Sequence, residues 1–240
     1  MVALLSDASP LQNRLLASLP ADARERLFPD LHLIKLTLGQ TLYEPGGVLR
    51  SAYFPTSAIV SILYTMENGS RGEIAVIGNE GLVGVSLIMG SQGTSNKAVV
   101  QSEGYAYEIS ASALQREFAR HGACLKLLLG YTQALMVQMV QTAACNKHHS
   151  IDEQMARWML LTLDRLTGHR SVMTQQLIAN MLSTTVARAA EVAQRMQKLG
   201  AIRYGDGTVE VLDRPMLEKL SCECYSVVKD ETERLFLKSS

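Results

Sequence analysis

From residue 31 to residue 109 apolar and polar positions alternate in short runs separated by turn residues. LHLIKLTL (31–38), QTLYE (40–44), SAYFP (51–55), SAIVSILYTM (57–66), GEIAVIG (72–78), KAVVQSEG (97–104) and YAYEI (105–109) predict strands. Pro45-Gly46-Gly47 and Glu67-Asn68-Gly69 mark turns between them. Short strands at this spacing predict an antiparallel, jelly-roll-like β-roll. Helices over 9–18 and 21–29 are expected to lead into it.

The period changes at Ser110, a plausible N-cap for a short helix in SASALQREFARHG. From Ala123 to about Lys147 the pattern predicts one long helix, with Lys126 its one charge before the last residue. At 1.5 Å per residue the rod is nearly 40 Å long, roughly. It has scarcely any polar face, so it must be covered on most sides. One heptad register places Leu128, Leu135 and Thr142 in one column and Leu125, Thr132 and Met139 in the other. Leu125, Leu128, Leu135, Met139 and Thr142 are therefore the expected dimer contacts. Two coverings fit: the roll plus a second copy of the helix, or burial within one monomer.

Ser150-Ile-Asp-Glu153 reads as a capping box that opens a helix running to about 166. The chain thus divides into a roll (1–122), a dimerisation helix with hinge (123–149) and a third unit (150–240), with CNKHHS (145–150) as the boundary.

That third unit carries the most informative pattern. Two helical stretches, 174–182 and 184–199, are separated by Ser183 alone, which permits only a tight turn. Ala179 is the small residue that lets the second helix approach. Ser183 is the turn residue, expected near positive φ, and Ala189 and Val192 pack back on the first helix. This is helix-turn-helix spacing. Gly200 ends the second helix. AIRY (201–204), Gly205-Asp206-Gly207 and TVEVLD (208–213) then predict a hairpin wing. Residues 157–203 carry Arg157, Arg165, Arg170, Arg188, Arg195, Lys198 and Arg203 against Asp164 and Glu191, a local net of +5. A basic stretch on a winged helix points to double-stranded DNA as partner.

The whole chain, by contrast, is neutral, with 23 basic and 23 acidic residues among 240. That excludes a chain-wide basic field. It is 47% hydrophobic, enough for packed cores. The start, MVALLSDASPLQNRLL, lacks a basic head before an apolar stretch. No apolar run is expected to reach the roughly 18 residues that span a bilayer. The expectation is a cytoplasmic chain without a membrane partner.

Of four cysteines, none precedes Cys124. Cys222 and Cys224 lack CxxC spacing and read as ordinary helix positions, and His148-His149 as polar linker. No metal and no cofactor is expected: an Fe–S cluster needs thiolates that the first half lacks, and His32 is its only histidine before 121. Cys124 and Cys145 lie three heptads apart. They are either packing residues or a pair that meets its twins across a dimer axis and reports oxidation. No nucleophile–base set or phosphate-cradling loop is found, so an enzyme is not expected. Glu73 and Glu80 read as roll-surface residues.

The segments SAYFPTSAIVSILYTMENGSRGEIAVIGNEGLVG and LIANMLSTTVARAAEVAQRMQKLGAIRY, in this order around a long helix, resemble the CRP/FNR superfamily of bacterial transcription regulators. VLDRPMLEKLSCECY resembles the tail of one branch. The resemblance implies an α+β fold: a cyclic-nucleotide-binding-like roll, a dimer helix and a winged helix-turn-helix. It also implies RNA polymerase as a partner, and a hinge that aims two reading helices at major grooves about 34 Å apart. In relatives that bind cyclic nucleotides, a Gly-Glu pair and a later Arg hold the ribose and phosphate. Here Gly84 is followed by Val85, and Ser95 or Asn96 stands where Arg would be, with Lys97 the nearest base. A point charge does not replace the guanidinium fork. These five are the effector-pocket candidates, and the expectation is that the roll senses an unidentified effector other than a cyclic nucleotide or that the chain is set by its own abundance with no effector.

The resemblance makes Thr174, Thr184, Thr185, Val186, Ala187, Arg188, Glu191, Arg195 and Arg203 the DNA-facing set. Val186 and Ala187 stand where many relatives carry Arg and Glu. They can touch thymine methyls but cannot read guanine. Arg188, Arg195 and Arg203 are expected on phosphates. The alternative is an interaction or non-specific DNA-binding module that kept the fold and lost base reading.

Overall fold

The computed structural model describes residues 9–67, 71–91, 93–166 and 170–237. Asn68-Gly69 of the predicted turn, Gly168 and residues 1–8 lie outside the described residues. The helix expected over 9–18 is a 3₁₀ turn (Pro10–Gln12) followed by α1 (Arg14–Ala17). They are split at Asn13, whose side chain accepts from the Leu15 and Leu16 N–H groups. α2 (Ala21–Leu27) follows.

The predicted strands all form: β1 (His32–Leu36), β2 (Thr41–Tyr43), β3 (Ser51–Pro55), β4 (Ile59–Thr65), β5 (Arg71–Ile77), β6 (Lys97–Ser102) and β7 (Gly104–Ser110). They make two antiparallel sheets, ordered β1-β7-β3 and β2-β6-β4-β5. Ser110 caps α3 (Ala111–Phe118) by accepting from the Ala113 N–H.

Both faces of the four-stranded sheet are buried, which is why apolar residues occupy both faces of β4 on either side of Ser61. Val60, Ile62, Ala75, Ile77, Ala98 and Val100 point into the roll core. Ile59, Leu63 and Val76 join a second core built mainly by residues 151–228. Glu73 and Glu80 are buried as well, which corrects their reading as surface residues. That reading assumed a solvated outer face, and the third unit covers it.

α4 (Ala123–His148) runs 26 residues. By length and composition it is apolar enough to cross a bilayer, with a mean hydropathy of 1.3 over its most apolar window. The expectation that no stretch qualifies therefore fails here. Scattered Gln and Thr residues break the run yet leave its average apolar. The helix lies instead against the roll, where the Gln138 side chain pairs with both backbone groups of Val76 (2.8 and 3.2 Å) and so closes the β5 edge.

The capping box at Ser150 and Glu153 opens α5 (Ile151–Leu163). Then come β8 (Arg170–Val172), α6 (Gln175–Met181), α7 (Val186–Lys198), β9 (Ile202–Gly205), β10 (Thr208–Val211), α8 (Arg214–Leu220) and α9 (Cys224–Leu237). β8 adds a third strand beside the predicted hairpin, in the order β8-β10-β9. α9 packs along α4, close enough that a side chain at Gly130 would strike Leu235. The fold is α+β throughout.

Candidate nucleic-acid interface

α6 and α7 form a helix-turn-helix. Thr174 caps α6, its Oγ1 accepting from the Leu177 N–H at 3.1 Å. Thr185 caps α7 in the same way for Arg188, at 3.2 Å. Between the helices Ser183 adopts φ +50°, the turn conformation that the spacing demanded. Ile178, Ala179, Ala189, Val192 and Met196 are buried between the helices and α5. Asp206 and Gly207 have φ values of +52° and +70°, the geometry of a type I′ turn, so the wing hairpin is tight.

Among the described residues nothing covers the opposite side of α7. Thr185, Val186, Ala187, Arg188, Glu191 and Gln194 are exposed there, and Thr184 is half-buried. Glu191 lies 3.7 Å from the Arg188 guanidinium and can orient it. Arg195 makes a two-pronged bond to Asp152 at the start of α5 (2.8 Å each), so it struts α7 against α5. Arg203 pairs with Glu210 across the wing at 2.7 Å. Arg157 and Arg165 of the basic stretch are buried, so the +5 of the linear sequence overstates the basic surface.

The third unit docks on the roll through its turn. Ser183 Oγ donates to the Arg71 carbonyl (2.9 Å) and sits 3.2 Å from the Tyr64 hydroxyl. Gly72 is required at this junction, because a Cβ there would run into Ser183 and Tyr64. Deeper in the seam, Arg165 bonds Glu80 at 2.7 Å, with both side chains buried. Ser61 Oγ lies 2.6 Å from Glu73 Oε2 and 2.8 Å from Gln101 Oε1, and Gln101 Nε2 donates to Thr162 (3.2 Å). A hydroxyl has one hydrogen for these two acceptors. The set balances when Glu73 is protonated and donates to Ser61. Burial pushes the Glu73 carboxyl up to about 7, against the pull of Ser61, Arg157 and Arg165. A cleft of about 260 Å³ remains in the seam, lined by Val99, Gln101, Leu177 and Met181 among others.

Residues 33–121 match the model of the cyclic nucleotide-binding domain, and residues 153–220 match that of the Crp-like helix-turn-helix domain. Together they span about two-thirds of the chain, in the order that the fold shows. The chain belongs to the CRP/FNR superfamily. No curated protein matches it in sequence. Among solved structures it resembles FixK2 from Bradyrhizobium japonicum at 14% identity and TM-score 0.69, covering 80% of this chain and 98% of that one. The c-di-GMP responsive regulator CLP of Xanthomonas campestris matches at 17% identity and TM-score 0.61, covering 80% and 99%. TTHA1359 from Thermus thermophilus, a transcriptional regulator of the CRP/FNR family, matches at 17% and 0.59, covering 79% and 98%. These likenesses bear on the fold.

Within this CRP/FNR chain, Gly84 takes φ +100° before the 3₁₀ turn Val85–Leu87, where an added Cβ would meet Ala52 at 3.4 Å. Lys97 is held by Glu44 at 2.7 Å, Asn96 is half-buried and Ser95 exposed.

The dimer-contact residues need correction. Leu128 (2% exposed), Leu135 and Thr142 face the chain's own interior and have no area left to give a partner. Leu125 and Met139 are half-buried. Leu129 (52%), Met136 (53%) and Val140 (64%) are the large apolar residues exposed on α4. The heptad was present, but apolar residues all round the helix left its phase undefined by sequence alone.

Cys124 and Cys145 do not share an outward face. Cys124 is buried among Leu15, Leu27, Phe54 and Leu114. Cys145 turns instead to Cys222, with sulfurs 3.5 Å apart, and both are buried. Cys224 Sγ lies 3.6 Å from His149 Nδ1. Burial pushes the Cys145 thiol up to about 12 and Cys224 to about 11, while Arg157 pulls both the other way. Arg157 reaches this corner through Thr142, to which it donates at 3.2 Å. Nothing in the linear sequence joins residues 145–149 to 222–224. Their meeting follows from α9 folding back along α4.

Proposed function

We propose that the chain is a homodimeric, cytoplasmic transcription regulator that reads DNA sequence with α7 and responds to a signal other than a cyclic nucleotide. The observation that carries this is the uncovered face of α7 beside a tight wing. Val186 and Ala187 meet thymine methyls, Arg188 contacts phosphate or base while steered by Glu191, and Thr174, Thr184 and Thr185 lie along the backbone. Arg195 and Arg203 reach phosphates only by leaving Asp152 and Glu210. Leu129, Gln133, Met136 and Val140, at heptad spacing on the exposed side of α4, form the dimer seam. The units are the roll 1–122, the helix and hinge 123–149 and the reading unit 150–240. The hinge re-aims the reading unit, which must leave its docking site on β5 to do so. RNA polymerase is the protein partner of the DNA-bound dimer, and the chain has no catalytic role of its own.

Against cyclic nucleotides stand Val85, and Lys97 already neutralised by Glu44. Isothermal titration with cyclic AMP and cyclic GMP is expected to show no micromolar binding, and such binding would overturn this part. For DNA, selection from a random duplex library is expected to return a palindrome poor in guanine at the half-site centres. The exposed methyls of Val186 and Ala187 also suit a second reading, a module without base specificity. Steep salt dependence with no enriched sequence would establish that reading instead.

A further inference from the structure

Four residues that the DNA-reading role leaves unused converge at the hinge. The ligand atoms of Cys145, His149, Cys222 and Cys224 all lie within 4.8 Å of one another. We propose that they bind one zinc ion, which staples the end of α4 to the junction of α8 and α9.

The dimensions carry this. Zinc held tetrahedrally by three thiolates and one imidazole, at ~2.3 and ~2.0–2.1 Å, has sulfur–sulfur edges of about 3.8 Å and sulfur–nitrogen edges of about 3.5 Å. The measured separations are 3.5 Å for Cys145–Cys222 and 3.6 Å for Cys224–His149. Cluster chemistry, which spreads four ligands over several irons, does not fit so small a cage. Cys145 and His149 are four apart at the end of α4, hence on one side of the helix. Cys222 lies two residues before α9 and Cys224 opens it, with Tyr225 N–H bonded to the Cys222 carbonyl. All four positions come from protein and the three sulfurs are buried, the pattern of a closed structural site.

The surroundings agree with a bound dication. His149 presents Nδ1 to the sulfurs and has Nε2 3.3 Å from the Glu223 carboxylate. That is the outer carboxylate that fixes the tautomer and orientation of a zinc-bound imidazole. Three thiolates and Zn²⁺ sum to one negative charge, and Arg157 supplies a positive one nearby. Binding releases the three thiol protons and forms three Zn–S bonds and one Zn–N bond, with no change of oxidation state.

The test uses the full chain, purified from zinc-supplemented cells and desalted without chelator. Elemental analysis is expected to give about one zinc per chain. Cobalt added to chelator-stripped protein is expected to show thiolate-to-metal charge transfer and the visible bands of tetrahedral Co²⁺. Cys224→Ser and His149→Gln should each lose the charge-transfer or tetrahedral signature, whereas Cys124→Ser should keep both. Glu223→Gln should weaken zinc binding by about tenfold or more while the ligands stay intact. Should a cysteine variant fail to fold, the wild-type cobalt spectrum and Glu223→Gln still decide the matter. Zinc well below stoichiometric, an octahedral cobalt spectrum, or a Cys145–Cys222 disulfide in the freshly purified protein overturns the proposal. None of these readouts depends on DNA binding, so the two proposals fail separately.

Discussion

The four-stranded sheet has two buried faces, and they are built from different chemistry. The inner face meets the roll core through Val60, Ile62, Ala75, Ile77, Ala98 and Val100, all apolar. The outer face meets the reading unit through Ile59, Leu63 and Val76, but also through Ser61, Glu73 and Gln101. Glu80, Arg165, Arg157, Thr162 and Gln138 surround them, buried too. Apolar burial is non-directional and holds a core closed over a wide range of conditions. A hydrogen-bonded charged seam is satisfied in one arrangement only, and its energy changes with protonation. The inner face is thus built to stay shut. The outer face is a specific, titratable seam between the roll and the third unit.

Phe54→Ala, in the roll core, is expected to cost about 3–5 kcal/mol in urea unfolding, with the same loss at pH 5 and pH 8. Arg165→Met is expected to cost a comparable ~3–5 kcal/mol by stranding Glu80, and Arg165→Met with Glu80→Leu should recover most of it. Simple additivity of the two would show that the seam pair is not coupled, and would erase the contrast with the inner face.

Glu73 sharpens the contrast through pH. Its folded carboxyl keeps the proton to about 7, above the ordinary glutamate range, so the folded state binds more protons than the unfolded chain in between. Its contribution to stability is therefore full below the unfolded value and falls as pH climbs to about 7, then levels off. Glu73→Gln should remove that slope, a difference on the order of 2 kcal/mol between pH 5 and pH 8. An unchanged slope in the variant would place the titration elsewhere.

The smallest effect is expected at the turn. Ser183→Gly relieves a positive φ worth roughly 1–2 kcal/mol but loses the bond to the Arg71 carbonyl, worth about 1. Net stability should stay within about 1 kcal/mol, while amide exchange near Arg71 quickens as the seam loosens. Slower exchange there would show that Ser183 does not hold the two units together.

Much of the local architecture was legible because it rests on neighbours in sequence. The strands of the roll, the caps at Ser110 and Ser150, the Ser183 turn and the Asp206-Gly207 wing tip all follow from periodicity and turn chemistry within a dozen residues. Reading failed where a residue's environment comes from far along the chain. Glu73 and Glu80 look like surface carboxylates until α5 covers them. Arg195 looks free for a phosphate until Asp152 is brought beside it. The phase of the α4 heptad is set by which side the roll occupies, and apolar residues on every side conceal that choice.

By itself the sequence determined the strands of the roll, the long helix and its boundary with the next, and that two helices joined by one residue precede a wing. These are short-range properties of backbone conformation and side-chain period. Only the tertiary structure decided that the sheet is buried twice, that Leu129, Met136 and Val140 are the residues α4 leaves exposed, and that Cys145 and His149 meet Cys222 and Cys224. Those outcomes depend on contacts between segments tens of residues apart, and no local pattern encodes which distant surface arrives.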